Sequence, residues 1–392
     1  MRIGLVLPAV PAYSETFFTN KIKGLKAAGH TVVIFANSAK NDSYSSLEVK
    51  IAPKLSGNSI RVAFTSFYKL FHSFLFHFKA SRRLYNLDQL DGIGFAQRMK
   101  NSVANHHIIT EPVDWLHFGF GTMVFNRENV AKAIGAKMGL SFRGFDIGVY
   151  PIKNPGCYHK LWDKVDKIHV ISNDIRDLLY THGFDGNTEV IKITPAIDTD
   201  FFKNEEEQLP SNKNNFITIA RLHWKKGLVY TLEALAILKK EGLPFHYTII
   251  GEGAEMERLK FAAYQLNIVD QVTFAGKLPH ESIKEKLKSA DVYLQYSIQE
   301  GFCNAVLEAQ SMGLLCIVSD AEGLSENILD KETGWVVPKC NPSELANKIM
   351  EVINLNSIEK QHISQNARKR VRQYFTVEQQ QEQFINFYKD EY

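Results

Sequence analysis

Residues 2–36 read RIGLVLPAVPAYSETFFTNKIKGLKAAGHTVVIFA, and this stretch decides the fold class. Arg2–Leu7 is an apolar run of strand length, Thr16–Ala28 is amphipathic at helical spacing and closes on Gly29, and Thr31–Ala36 is a second apolar run. Strand, helix and strand in that order make a βαβ unit, which predicts a parallel sheet with helices on its faces. The apolar run of Met1–Val10 is too short for a secretory leader and is broken by Pro8 and Pro11, so a first buried strand is expected there.

Moving outward, further strands are expected at Asp114–Phe118, Leu140–Arg143 and Lys167–Ile171, each followed by helix-compatible sequence. The first half therefore reads as one doubly wound domain, residues 1–197. A strand at Glu189–Ile193 ends before Pro195, and residues 198–215 form the linker, polar and rich in Glu and Asn from Lys203 to Asn215. Alternation then restarts. Strands are expected at 216–220, 247–250, 272–275, 292–295 and 316–319, with helices at 228–240, 254–266, 281–289 and 304–312. A second Rossmann-like domain, residues 216–376, is the reading, with ligands at the carboxyl ends of its strands. A length of 392 residues suits two such domains.

Residues 1–204 hold 25 Lys+Arg against 17 Asp+Glu, and the remainder 21 against 26, so the net +3 conceals a basic first half and an acidic second half. A basic half suits nucleic acid, an anionic membrane face or a phosphorylated acceptor. No zinc-finger spacing, RNA-binding aromatic signature or dense basic helix is present, which argues against nucleic acid. Cys157, Cys303, Cys316 and Cys340 form no C-x-x-C pair, arguing against a zinc site and a disulfide frame and for a reducing cytoplasm. No uncharged apolar segment reaches the length needed to span a bilayer.

The chemistry gathers in Glu300-Gly301-Phe302-Cys303-Asn304-Ala305-Val306-Leu307-Glu308, two carboxylates across a loop-to-helix junction. A small-residue loop exposes backbone N–H groups, and the helix beginning near Asn304 aims its positive end at an anion above the loop. Glu308 lies about one turn into that helix, where a carboxylate can accept hydrogen bonds from a ribose diol. Upstream, Arg221 and Lys226 follow an apolar strand and supply two cations suited to a diphosphate.

These residues resemble the family 4 glycosyltransferases, which carry an E-x7-E motif (here Glu300 and Glu308) and an R-x4-K pair (here Arg221 and Lys226). Further matches are TIIGEG (248–253), VTFAGKL (272–278), ADVYL (290–294), EAQSMG (308–313) and TGWVVP (333–338), while PAYSETF (11–17) is similar to the SETF-type opening of one branch. The resemblance reaches almost the whole chain. It implies the GT-B architecture, an α/β fold of two Rossmann-like domains facing each other across a cleft, with the last helix (377–392) returning to the first domain. It also implies that Arg221 and Lys226 clamp the donor diphosphate, that Glu308 holds the ribose, and that Glu300 holds the transferred sugar, aided by the amides of Gly301, Phe302 and Cys303.

Other motifs have bland readings beside these. Gly251-Glu252-Gly253 imitates a dinucleotide fingerprint, but Met256 stands where its third glycine would be, so a tight turn near the nucleotide is expected. Asp198-Thr199-Asp200 imitates a metal-binding D-x-D, yet it falls beside the linker, and no metal or other cofactor is expected. His117, ending an apolar strand, is either a satisfied structural residue or, as the resemblance suggests, a sugar or acceptor contact near the catalytic centre. Arg143 stands where relatives often show His. It cannot act as a base, and with Asp146 and Glu15 it is counted as a contact for acceptor or phosphate, plain structural pairing of Asp146 being the alternative. Phe64, Phe67, Phe71, Phe74 and Phe78 recur at helical spacing near Lys69, Lys79, Arg82 and Arg83: either a helix buried in the first domain or an interfacial helix on an anionic membrane. His106 and His107 receive no role.

The expected function is that of a retaining, metal-independent hexosyltransferase, moving sugar from a UDP- or GDP-sugar to a glycan or lipid-linked acceptor in cell-surface polysaccharide synthesis. It would work in the cytoplasm or on the inner face of its membrane. The rivals are a sugar-nucleotide epimerase on the same fold and a non-catalytic sugar-nucleotide-binding protein.

Overall fold

The computed structural model describes residues 1–11, 16–38, 47–57, 59–204 and 214–389. They form two compact units, Met1–Ile193 with Gln380–Tyr392, and Thr194–Gln379.

Unit 1 is built on a seven-stranded sheet: β1 (Arg2–Ala9), β2 (Thr31–Ser38), β3 (Glu48–Ile51), β4 (Trp115–Phe118), β5 (Lys137–Phe142), β6 (Lys167–Val170) and β7 (Glu189–Lys192). Its order is β3-β2-β1-β4-β5-β6-β7, parallel throughout. The order reverses between β1 and β4, the kind of switch point where open parallel sheets take ligands. Helix α1 (Thr16–Ala27) buries Phe17, Phe18, Ile22 and Leu25 in one core with Leu5, Leu7, Trp115 and Ile193. The same core takes Phe384 and Phe387, from the C-terminal helix Val377–Phe387, and Tyr388 just beyond it.

Unit 2 repeats the plan with β8 (Asn215–Ile219), β9 (His246–Ile250), β10 (Val272–Gly276), β11 (Val292–Gln295), β12 (Leu315–Ser319) and β13 (Trp335–Val337). The order is β10-β9-β8-β11-β12-β13, again all parallel, with its switch point between β8 and β11. One core packs Phe216, Tyr247, Leu294 and Ile317 of the sheet against Leu232 of the helix Leu228–Lys240.

The aromatic helix does not follow the buried reading. Of the 18 residues of α2 (Ser59–Phe76) only Ser73 is buried, while Phe64, Phe67 and Phe71 are 76%, 70% and 58% exposed. A second helix, α3 (Phe78–Leu90), follows almost at once and buries Ser81, Leu84 and Asp88.

Candidate active site

The carboxyl edge of the second sheet holds three loops that fasten to one another. After β8 the chain runs through Arg221 into a 3₁₀ turn, Trp224–Lys226, which the His223 side chain caps by accepting from Lys225 N–H (Nδ1, 3.4 Å). Gly227 then takes a left-handed φ of +60°, and a Cβ there would lie 2.1 Å from the Tyr296 carbonyl oxygen, so only glycine fits. Ile298 N–H donates to Lys225 O at 2.7 Å. These contacts bolt the Lys226 turn to the loop after β11, and Lys226 forms an ion pair with Glu300 there. Burial works against the ammonium, but the Glu300 carboxylate outweighs it and the Lys226 pKa lies above its ordinary value.

The third loop follows β12. Glu322 accepts a hydrogen bond from Glu300 N–H at 3.0 Å and pairs with Lys339 at 3.3 Å. Fully buried Asn327 accepts from Cys303 N–H at 3.1 Å and donates to Cys303 O at 3.0 Å. The Cys303 amide is therefore occupied, which corrects the expectation that it serves a sugar. The amides of Gly301 and Phe302 stand between these two anchors. Neither Glu322 nor Asn327 carried a sequence signal, because their roles come from a loop brought alongside by the fold.

Glu308 lies on the helix Asn304–Met312, and burial pushes its pKa from the ordinary 4.5 up to about 7. Beside them, burial and then the Glu300 charge push the Cys303 thiol up to about 12, against the opposing charge of Lys226. Arg221 is exposed, five positions before Lys226 on the same connection. Gly251 and Gly253 press against this segment. A Cβ on either would meet the carbonyl oxygen of Ala220 (1.9 Å) or Leu222 (2.2 Å), and Leu222 N–H donates to Glu252 O at 2.8 Å. This motif packs loop on loop. The edge thus offers an exposed cation, a paired ammonium, a carboxylate one turn into a helix and a helix N-terminus, a set suited to a diphosphate joined to a polyol.

Asp198 caps its own turn, accepting from Asp200 N–H (3.1 Å) and Phe201 N–H (2.8 Å).

In unit 1 the structure revises two candidates, and Glu15 lies outside the described residues. His117 is fully buried. Its partners form a directed chain fixed at one end by a carbonyl, which can only accept. His169 Nε2–H donates to Ile193 O (2.9 Å), leaving Nδ1 to accept from Ser141 O–H (2.8 Å). Ser141 Oγ then accepts from His117 Nε2–H (2.7 Å), and His117 Nδ1 accepts from Tyr388 O–H (2.8 Å). Lys21 Nζ lies 3.2 Å from His117 Nε2, and burial, followed by the charge of Arg143, holds its pKa well below the usual lysine value. Burial, then the charges of Lys21 and His169, likewise lowers the His117 pKa well below its usual value. His117 is a core residue with both nitrogens engaged, and a sugar contact is not available to it. Lys21, Ser141, His169 and Tyr388 carried no signal in the sequence, since their meeting depends on the order of the strands and the return of the last helix.

Asp146 is also structural. Its carboxylate accepts the N–H groups of Arg143 (3.0 Å), Gly144 (2.9 Å) and Gly121 (3.0 Å), tying the loop after β5 to the loop after β4, so it is not a free acceptor contact. Arg143 remains a candidate. Its guanidinium lies 3.9 Å from the ring centre of Phe17 and 4.9 Å from that of Phe18, near the carboxyl edge of the sheet.

With this geometry in view, the chain can be compared with known proteins, and the family match falls within unit 2. Residues 200–370 match the family Glycosyl transferases group 1. The amylovoran biosynthesis glycosyltransferase AmsK of Erwinia amylovora is 30% identical over 252 residues, covering 62% of this chain and 61% of that protein. WcaL of Escherichia coli (strain K12), named for colanic acid biosynthesis, is 27% identical over 267 residues, 66% of either chain. The chain thus aligns with somewhat less than two thirds of the length of these two relatives. Among solved structures, sucrose-phosphate synthase from Thermosynechococcus elongatus superposes with a TM-score of 0.74 over 99% of this chain and 98% of that one, at 16% identity. That likeness shows the fold: two Rossmann-like domains of the GT-B type. Arg221, Lys226, Glu300 and Glu308 all fall within the group 1 match.

Proposed function

We propose that the protein is a glycosyltransferase that moves a hexosyl group from a UDP- or GDP-sugar to a glycan or lipid-linked acceptor in polysaccharide synthesis. The observation that carries the reading is the Lys226–Glu300 pair, locked by Gly227 and Ile298 beside the helix that bears Glu308. On this reading Arg221 and Lys226 neutralise the diphosphate as charge develops on the leaving group, an electrostatic contribution to the transition state. Glu300 turns to the sugar hydroxyls, and Glu308 accepts from the ribose diol. The names of AmsK and WcaL support the polysaccharide setting.

Transfer proceeds with retention by front-face attack, the departing phosphate oxygen assisting the incoming hydroxyl, and two fixed cations serve in place of a metal. Arg143 is the residue of unit 1 proposed to meet an anionic part of the acceptor or donor. The test is isothermal calorimetry with UDP, GDP and their sugars, followed by a transfer assay with the sugar nucleotide that binds. Binding without transfer to any glycan or lipid-linked acceptor, or turnover of donor to an epimer, would reject it.

A further inference from the structure

Helix α2 turns its apolar face away from its own unit. Ile60, Phe64, Phe67, Tyr68, Phe71 and Leu75 fall at i, i+4, i+7, i+8, i+11 and i+15, which places them on one stripe of a helix about 27 Å long. Every one is more than half exposed, and Ile60 reaches 82%. Phe78, at the start of α3, extends the stripe and is 51% exposed. The helix is held to unit 1 by its other side, through buried Ser73, whose carbonyl accepts from Ser81 Oγ at 3.0 Å, and through His72, whose Nδ1 lies 3.3 Å from His106 Nε2.

The charge around the stripe has one sign. Residues 49–87 contain no Asp or Glu. Lys54, Arg61, Lys79, Arg82 and Arg83 are exposed there, and Lys69 is half-buried. Among the described residues no helix is long and apolar enough to cross a membrane. An apolar stripe in a segment whose only charged side chains are cations, on a helix with that stripe exposed, matches the cross-section of a bilayer interface, with rings at the acyl boundary and cations among anionic headgroups.

We infer that α2 and the start of α3 form a docking surface for an anionic lipid bilayer, with the Ile60–Leu75 stripe entering the interface. This goes beyond the proposed transfer reaction and does not rest on it.

The test is co-sedimentation of the full chain with phosphatidylcholine vesicles, with and without phosphatidylglycerol, at low and high salt. Binding is expected to favour the anionic vesicles at least about tenfold and to fall as salt rises. The charge-reversed variant Lys79→Glu/Arg82→Glu/Arg83→Glu should lose that preference. Phe64→Ser/Phe67→Ser/Phe71→Ser should lose binding to both vesicle types while its melting temperature and its calorimetric nucleotide affinity stay unchanged, because these rings support no core. Equal, negligible sedimentation of the wild type with both vesicles, or serine variants that bind as well as wild type, would overturn the proposal. So would a wild-type dimer that the serine substitutions dissociate and vesicles do not bind, which would assign the stripe to a second copy of the chain.

Discussion

Lys226 and Glu300 neutralise each other across two loops of unit 2, so an incoming diphosphate must share or displace that carboxylate. Glu300→Gln should leave Lys226 free for phosphate. Its affinity for the bare nucleoside diphosphate is expected to equal or exceed that of the wild type, while sugar transfer falls at least tenfold. Arg221→Ala or Lys226→Ala should instead weaken the diphosphate itself by about tenfold or more, since a hydrogen bond to a charged group contributes about 1.5–3 kcal/mol. Calorimetry with the diphosphate and a transfer assay separate the two patterns, and unchanged diphosphate affinity in both alanine variants would remove the clamp.

The raised pKa of Glu308 sets a pH dependence. Its folded value of about 7 lies above the ordinary 4.5, so the folded protein holds the proton up to about pH 7, and ionisation of the same carboxyl in the unfolded chain lowers folding stability as pH rises between those values. A ribose diol needs the ionised form as acceptor. Nucleotide affinity should therefore be flat above pH 7 and fall by up to about tenfold per unit below it. Glu308→Gln should bind more weakly at pH 8 and lose this slope, as calorimetry from pH 5.5 to 8 would show.

The buried chain in unit 1 predicts stability effects without chemistry. Tyr388→Phe removes the donor to His117 Nδ1 and leaves a buried acceptor unpaired, at a cost of about 1–3 kcal/mol. Denaturant unfolding should register that loss, while the transfer rate at moderate temperature stays within about twofold. A large fall in rate with stability intact would return His117 to the reaction.

Chelation tests the role assigned to the cations. Asp198 already accepts two amides of its own turn, so EDTA should leave transfer largely unchanged and Asp198→Asn should be mild. Loss of activity on chelation, restored by manganese, would show that a metal shares the diphosphate.

Periodicity carried most of the fold, because buried parallel strands and amphipathic helices write their patterns locally. The helices 228–240 and 304–312 were legible to the residue. The three-residue β13 is too short for a pattern, and β3, only four residues long, shows no buried face. Arg221, Lys226, Glu300 and Glu308 were legible because short spacings on two connections hold them. What held those connections was not: Asn327 reaches Cys303 only because β12 lies beside β11. His117 misled for a related reason. Its place on an apolar strand is visible in sequence, but the residues that engage both its nitrogens come from β5 and from beyond the last helix. The aromatic helix stayed open between a buried and an interfacial reading, since helical spacing of apolar residues says that a face exists and not which way it points.

The return of the C-terminal helix bears on how the chain is born. The core around Phe17, Trp115 and His117 closes only with Phe384, Phe387 and Tyr388, and these leave the ribosome after all of unit 2. At about 5–20 residues per second, the 186 positions from Thr194 to Gln379 impose a wait of roughly 10–40 s. Through that interval unit 1 carries an open apolar seam with a half-wired histidine behind it. The unit made first is thus the last to be finished, and nascent chains stalled within the second half are the form of this protein most exposed to aggregation.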